Sequence, residues 1–167
     1  MTGVPLVVAV VGRDRTGIVG DLARVIAQAG GNWEESTLLH LAGRFAGVVQ
    51  ITAPDEAAAA RIEAGLGACE GVRILVDRGD DVIPEGASIR LAITADDRPG
   101  IVRDVTRVLV DRRANIVAFN TRTVEAPMAG GVLFEAELEA RVAPDDVDAL
   151  RSALEALQQD LQVDLET

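Results

Sequence analysis

The stretch Asp14-Arg15-Thr16-Gly17-Ile18-Val19 returns 83 residues later as Asp97-Arg98-Pro99-Gly100-Ile101-Val102. Four residues downstream of the first motif recur at the same offset, since Asp21, Arg24, Val25 and Asn32 reappear as Asp104, Arg107, Val108 and Asn115. Self-similarity over such a length marks a duplicated supersecondary unit. The duplicated part comprises a loop, a helix and the start of a strand, so each half of the chain should fold in the same way.

Apolar spacing predicts the same order of elements, βαββαβ, in both halves. The first half has predicted strands at Pro5–Val11, Asn32–Leu41, Phe45–Ala53 and Val72–Val76, with helices from Ile18 to Ala29 and after an Asp55 N-cap, the latter with Ala59, Ile62, Leu66 and Cys69 on one face. The second half has predicted strands at Ser88–Ala95, Asn115–Glu125, Val132–Ala140 and Leu161–Leu165, with helices from Ile101 to near Arg112 and from Val147 to Leu157. The fold class predicted is α+β, with two tandem ferredoxin-like units whose helices cover one face of an antiparallel sheet. A polar linker places the boundary near Ile83, which gives domains 1–82 and 83–167.

The composition argues against several classes of protein. The chain has 27 acidic and 16 basic residues, a net charge of −11, and no lysine. Direct nucleic-acid binding is therefore disfavoured, and a Walker-A or Schiff-base lysine is excluded. Cys69 and His40 are single residues of their types, so no disulfide, zinc cluster or other metal site is expected. With no apolar run of membrane-spanning length, we expect a cytoplasmic protein without a membrane partner.

The duplicated loop has the chemistry of a small-ligand site. Gly17 and Gly100 let the backbone approach a ligand closely, and the N–H groups of the helix that follows can bind a carboxylate. Asn32 and Asn115 offer the donors and the acceptor that an amino acid requires. Structural roles would also explain these residues. Asp14 and Asp97 can be helix N-caps with Pro99 in the first turn, the two asparagines can be turn residues, and Arg15 and Arg98 can be surface ion pairs.

The motif Asp-Arg-(Thr/Pro)-Gly-Ile-Val, with an Asn eighteen residues after the Asp, resembles the ACT domain, a regulatory amino-acid-binding module. The resemblance covers nearly the whole chain as two tandem copies, an architecture similar to the glycine cleavage system transcriptional repressor family. It implies that ligand is bound across an interface between domains by the motif residues together with the asparagines. The implied ligand-binding residues are Asp14, Arg15, Thr16, Gly17, Ile18, Val19, Asn32, Asp97, Arg98, Pro99, Gly100, Ile101, Val102 and Asn115. Several ligand-binding relatives carry Asn at the positions of Asp14 and Asp97, which implies either a different ligand orientation or a capping role here.

The resemblance implies a non-catalytic regulator that has no cofactor. Independently of the resemblance, the uncovered sheet face and the exposed strand edges make a homodimer the default expectation. Glycine would be the first ligand to test, and a DNA-binding activator would be the protein partner. The alternative is a ligand-free oligomerisation or regulatory subunit of an amino-acid metabolic enzyme. A hydrolase related to formyltetrahydrofolate deformylase is disfavoured, because the repeat occupies both halves and leaves no catalytic domain.

Overall fold

A computed structural model of the chain describes residues 3–80, 85–126, 130–156 and 161–166. The chain divides into two compact units, Met1–Val82 and Ile83–Thr167. Each unit has the order βαββαβ around a four-stranded antiparallel sheet, which confirms the predicted fold class. None of the helices in the described ranges is long and apolar enough to cross a membrane.

The first unit follows the predicted pattern closely. Its elements are β1 (Val4–Arg13), α1 (Ile18–Gln28), β2 (Asn32–Leu41), β3 (Arg44–Ala53), α2 (Glu56–Gly67) and β4 (Val72–Arg78). The strand order is β2-β3-β1-β4, and every neighbouring pair is antiparallel. The Asp55 side chain accepts a hydrogen bond of 2.7 Å from the backbone N–H of Ala58, which confirms the predicted N-cap of α2. Cys69 lies beyond the end of α2, so its placement on the helix face was wrong, although it packs half-buried against the core.

The second unit repeats the arrangement. Its elements are β5 (Ala87–Asp96), α3 (Ile101–Asp111), β6 (Asn115–Glu125), β7 (Val132–Val142), a 3-10 turn (Pro144–Asp146), α4 (Val147–Glu155) and β8 (Gln162–Glu166). The strand order β6-β7-β5-β8 matches that of the first unit element for element. Leu157, which was predicted to extend the last helix, lies outside the described residues.

Each unit has its own hydrophobic core between its helices and its sheet. Alternate residues of β1 point inward, so Leu6 and Val8 are buried while Val7 is 36% exposed. Helix α1 contributes Leu22 and Ile26 at a four-residue spacing. Burial of each large aliphatic side chain contributes about 1.5–3 kcal/mol, and this apolar periodicity therefore determines which face of each element meets the core.

The two units end their first helix with the same hydrogen-bond pattern but with different residues. In α1, the N–H of Gly31 donates to Ile26 O at 3.0 Å, and Gly30 takes the left-handed conformation with φ 83°. In α3, the N–H of Ala114 donates to Leu109 O at 2.9 Å, and the left-handed position is held by Arg113 with φ 54°. Both are Schellman motifs, in which glycine is strongly preferred. The left-handed residue thus precedes the strand, and the interpretation of Asn32 and Asn115 as turn residues was wrong because both begin strands.

Arg113→Gly should raise the free energy of unfolding of the second unit by about 1 kcal/mol, because glycine removes the cost of a side chain in the left-handed region. Gly30→Ala is the matched control and should lower stability by a similar amount. The space at residue 30 accepts a Cβ, with Pro54 Cγ 3.7 Å away, so only the backbone conformation opposes that change. Urea unfolding measures both effects, and a loss of stability in Arg113→Gly would contradict this account of the helix end.

Candidate functional site

The loop after the first strand of each unit ends in a left-handed glycine that forms the N-cap of the following helix. Gly17 has φ 95° and Gly100 has φ 94°, and neither helix start has a side-chain cap hydrogen bond. The alternative in which Asp14 and Asp97 cap the helices was therefore wrong. Pro99 lies before the N-cap rather than in the first turn. The physical reason is the positive φ, which favours glycine over aspartate at the cap position.

The two helix starts consequently present backbone donors without a side-chain acceptor among the described residues. The first backbone hydrogen bonds of the two helices are donated by the N–H groups of Asp21 and Asp104, each 2.9 Å from the carbonyl oxygen of the cap glycine. The backbone N–H groups that come earlier in each helix have no partner within that helix. Together with the positive end of the helix dipole, they form an arrangement suited to a carboxylate.

An arginine in each loop is held by the first turn of the helix. Arg15 Nη2 lies 2.8 Å from Asp21 Oδ2, and Arg98 Nη1 lies 2.9 Å from Asp104 Oδ2. These contacts confirm the ion-pair interpretation of both arginines. The hydrogen bond from Arg15, followed by one from Arg24, lowers the pKa of Asp21 below its ordinary 3.8. The hydrogen bond from Arg98, followed by one from Arg103, lowers the pKa of Asp104 in the same way.

Arg15→Gln should raise the pKa of Asp21 toward 3.8, since the largest cause of the lowered value is then removed. A carboxyl whose pKa is lower in the folded state stabilises the fold above its ordinary pKa, and this contribution is lost as the pH falls through the lowered value. In the wild-type protein, loosening of the loop is thus expected only in strongly acidic solution, where Asp21 becomes protonated. An NMR titration of the aspartate carboxyl carbons measures the shift. Arg24→Gln is the control and should raise the pKa of Asp21 by less. An unchanged pKa of Asp21 in Arg15→Gln would contradict the conclusion that Arg15 is the main cause of the lowered value.

Within one unit, the loop and the strand asparagine lie at opposite ends of the sheet. Asn32 is opposite Thr52, and Thr52 in turn is opposite Pro5 of β1, whereas the loop follows Arg13. The eight residue-to-residue steps from Pro5 to Arg13 correspond to about 26 Å of extended strand. In the second unit, the same relation separates Asn115 from the loop. One small ligand therefore cannot touch both the loop and the asparagine of the same unit.

The motif side chains divide into exposed and buried ones. Ile18 and Ile101 are only 3% and 2% exposed and belong to the cores, so a ligand can meet only their backbone. Val19 and Val102 are each 43% exposed. The remaining predicted residues are exposed except for Gly100, which is partly covered; they are Asp14, Arg15, Thr16, Gly17, Asn32, Asp97, Arg98, Pro99 and Asn115.

The two copies differ in the surroundings of these residues. In the first unit, His40 Nε2 lies 3.8 Å from Asp14 Oδ2, and Asn32 Nδ2 donates to Glu34 Oε1 at 2.9 Å. In the second unit, Thr123 occupies the position equivalent to His40, and the Asn115 side chain makes no hydrogen bond with any described residue. Asn115 is therefore the more available of the two asparagines for a ligand.

Comparisons with known proteins identify the same family in both halves of the chain. Sequence models of the ACT domain match residues 4–70 and residues 89–156. The crystal structure of an "unknown protein" from Galdieria sulphuraria is 30% identical, with a TM-score of 0.83, and 99% of this chain and 98% of that chain are covered. A candidate glycine cleavage system transcriptional repressor shares the fold at 22% identity, with a TM-score of 0.68 and coverage of 98% and 96%. No curated protein sequence matches the chain. Since the two matched ranges account for most of the sequence, one in each βαββαβ unit, the chain belongs to the ACT domain family and carries two ACT domains in tandem.

Proposed function

We propose that the chain is a non-catalytic regulatory protein that binds a small amino acid and thereby changes its association with a protein partner. Glycine is the first candidate ligand, and a DNA-binding regulator of glycine or one-carbon metabolism is the candidate partner. The single observation that carries the proposal is the pair of uncapped helix starts behind a left-handed glycine, present in both units. Membership of the ACT family and the fold shared with a candidate glycine cleavage system repressor support this assignment.

The loop offers a complementary partner for each end of an amino acid. The backbone N–H groups at the helix start bind the carboxylate, and a nearby aspartate, Asp14 or Asp97, attracts the ammonium group. The loop residues Asp14 to Gly17 are exposed, and glycine and serine, which have short side chains, are the first ligands to test. A carboxylate in place of the amide found in several relatives predicts that the ammonium group lies toward the aspartate.

The asparagine contributes from a different ACT domain. Because about 26 Å separates the loop from the asparagine of its own unit, a ligand that touches both kinds of residue must join two ACT domains. Binding then stabilises one association over another only as far as the ligand prefers it. A tenfold preference corresponds to about 1.4 kcal/mol, which shifts a nearly balanced equilibrium substantially.

A thermal-shift screen against the twenty amino acids tests the proposal, with glycine and serine at several concentrations. A ligand present at about 100 times its dissociation constant adds about 2.7 kcal/mol and should raise the melting temperature by several degrees. A dose-dependent shift with one or two amino acids is the expected result. No shift with any of them would contradict the proposal and would favour the ligand-free subunit, which should then copurify with an enzyme from native extract.

A further inference from the structure

We propose a second binding site in the first unit, for a small anion that carries two or more negative charges. Its residues are Arg13, Arg44 and Arg73, which we call the arginine corner. The inference goes beyond the proposed amino-acid site. It adjoins the loop at Asp14, but it uses other side chains and occurs in the first unit only.

Strand register brings the three arginines together. Arg13 at the end of β1 is directly opposite Arg44 at the start of β3, and Arg73 of β4 is opposite Val11 of β1. All three arginines lie on the exposed face of the sheet. Arg13 is on the same side of β1 as Val11, which is 46% exposed, and Arg73 is on the same side of β4 as Leu75, which is 68% exposed. The arginines line an open surface depression of about 500 Å³ together with Val11, Gly12 and Gly71, which leaves room for a small anion.

The arginine corner concentrates positive charge without compensation. No carboxylate oxygen of the described residues lies within 4.0 Å of the guanidinium nitrogens of Arg13, Arg44 or Arg73. By contrast, Arg15 and Arg78 of the same unit are paired with acidic side chains. Other arginines, such as Arg107, also have no carboxylate oxygen within 4.0 Å among the described residues, so the distinguishing feature of the arginine corner is that three such arginines lie together. It means that the positive charge at this corner is available to a ligand.

Two acidic residues, Asp14 and Glu70, flank the arginine corner in sequence, but neither carboxylate lies within 4.0 Å of its guanidinium nitrogens. The Asp14 carboxylate instead lies 3.8 Å from His40 Nε2. Like charges directly opposite each other on neighbouring strands destabilise a sheet. The pair Arg13 and Arg44 therefore carries a local cost in the free protein, which a bound anion would remove.

The chemistry of the arginine corner selects small, multiply charged anions. Guanidinium groups form paired hydrogen bonds with phosphate and carboxylate oxygens, so both kinds of anion fit. The net charge of −11 opposes the approach of a nucleic acid, whereas a small anion can enter a local positive site. By strand register, the counterparts of Arg13, Arg44 and Arg73 in the second unit are Asp96, Leu133 and Gln162, so the duplication did not preserve the cluster there.

Calorimetric titration with pyrophosphate and, separately, with citrate tests the proposal, with sodium chloride of equal ionic strength as the reference. We expect millimolar or tighter binding of at least one probe. Arg44→Gln and Arg73→Gln should each weaken it about tenfold. Arg107→Gln is the matched control, because it removes from α3 an exposed arginine that has no ion pair with any described residue, and it should bind as the wild type does. The probe that binds identifies phosphoryl or carboxyl chemistry.

Stability without anion gives an independent readout. Arg44→Gln should raise the melting temperature without anion by a few degrees, because it removes the repulsion between opposite arginines, and it should reduce the further stabilisation that the anion gives. Failure of both probes to bind at millimolar concentration would overturn the proposal. An equal loss of binding in Arg107→Gln, or lower melting temperatures of Arg44→Gln and Arg73→Gln without anion, would also overturn it. A protein that fails to respond to amino acids but binds pyrophosphate would separate this site from the proposed function.

Discussion

Asn115→Ala is expected to weaken amino-acid binding by about tenfold to a hundredfold, since a hydrogen bond to a charged group contributes about 1.5–3 kcal/mol. The melting temperature without ligand should stay nearly unchanged. Asn115 is exposed and makes no hydrogen bond with a described residue, and exposed substitutions of this kind usually stay within about 0.5 kcal/mol. Loss of affinity without loss of stability distinguishes a ligand contact from a structural role.

Asn120→Ala is the control for this prediction. Asn120 lies in the same strand β6, is also exposed, and has the same side chain, so its removal should alter neither binding nor stability. The titration uses the amino acid that gives the largest thermal shift. Equal losses in Asn115→Ala and Asn120→Ala, or a fall in melting temperature that accounts for the lost affinity, would place Asn115 outside the site. Asn32→Ala tests the first copy, where Glu34 already holds the amide.

The regular elements could be predicted because periodicity and duplication reinforce each other. The predicted hairpin strand Asn32–Leu41 has those same bounds in the structure, and Asn115–Glu125 does as well. Alternation of apolar residues specifies strands wherever one face is buried. The duplication adds independent support, since an element predicted at equivalent positions of both halves rests on two sequences and not on one.

The helix start was harder to predict, because two preferences compete within the motif. Aspartate and proline before a helix suggest a side-chain cap, yet Gly17 and Gly100 take that position with a positive φ. The glycine in the motif was the available signal. Its requirement for a left-handed conformation outweighs the capping preference of a residue three positions earlier.

Long-range geometry could be derived only once the register was known. The motif spacing places Asn32 eighteen residues after Asp14, but an intervening helix carries the chain back along the whole sheet. The arginine corner is similar, since Arg13, Arg44 and Arg73 come from three strands and show no local motif. Its one sequence signal is that the strand-end arginines have no equivalents in the second copy.

Gly12→Ala should destabilise the first unit by about 2–3 kcal/mol, because an added methyl group has no room. A Cβ at residue 12 would overlap the carbonyl oxygen of Gly71 and would lie 2.8 Å from Cγ1 and 2.9 Å from Cα of Val72. Two of these three atoms belong to the backbone, so relief requires β4 to move away from β1. Gly12→Val should cost more, since its branched side chain enters the same space.

The second copy provides the control for this prediction. Ala95 occupies the position equivalent to Gly12 and is buried, so the duplicated fold accepts a methyl group there. Ala95→Gly should therefore cost only about 1 kcal/mol, mainly through the greater freedom of glycine in the unfolded chain. At about 4–8 °C per kcal/mol for a unit of this size, the melting transition of Gly12→Ala should fall by about 10 °C or more. Small and similar shifts in both variants would show that β4 can move away from β1 at little energetic cost. The close approach of Gly71 would then not explain why residue 12 is a glycine.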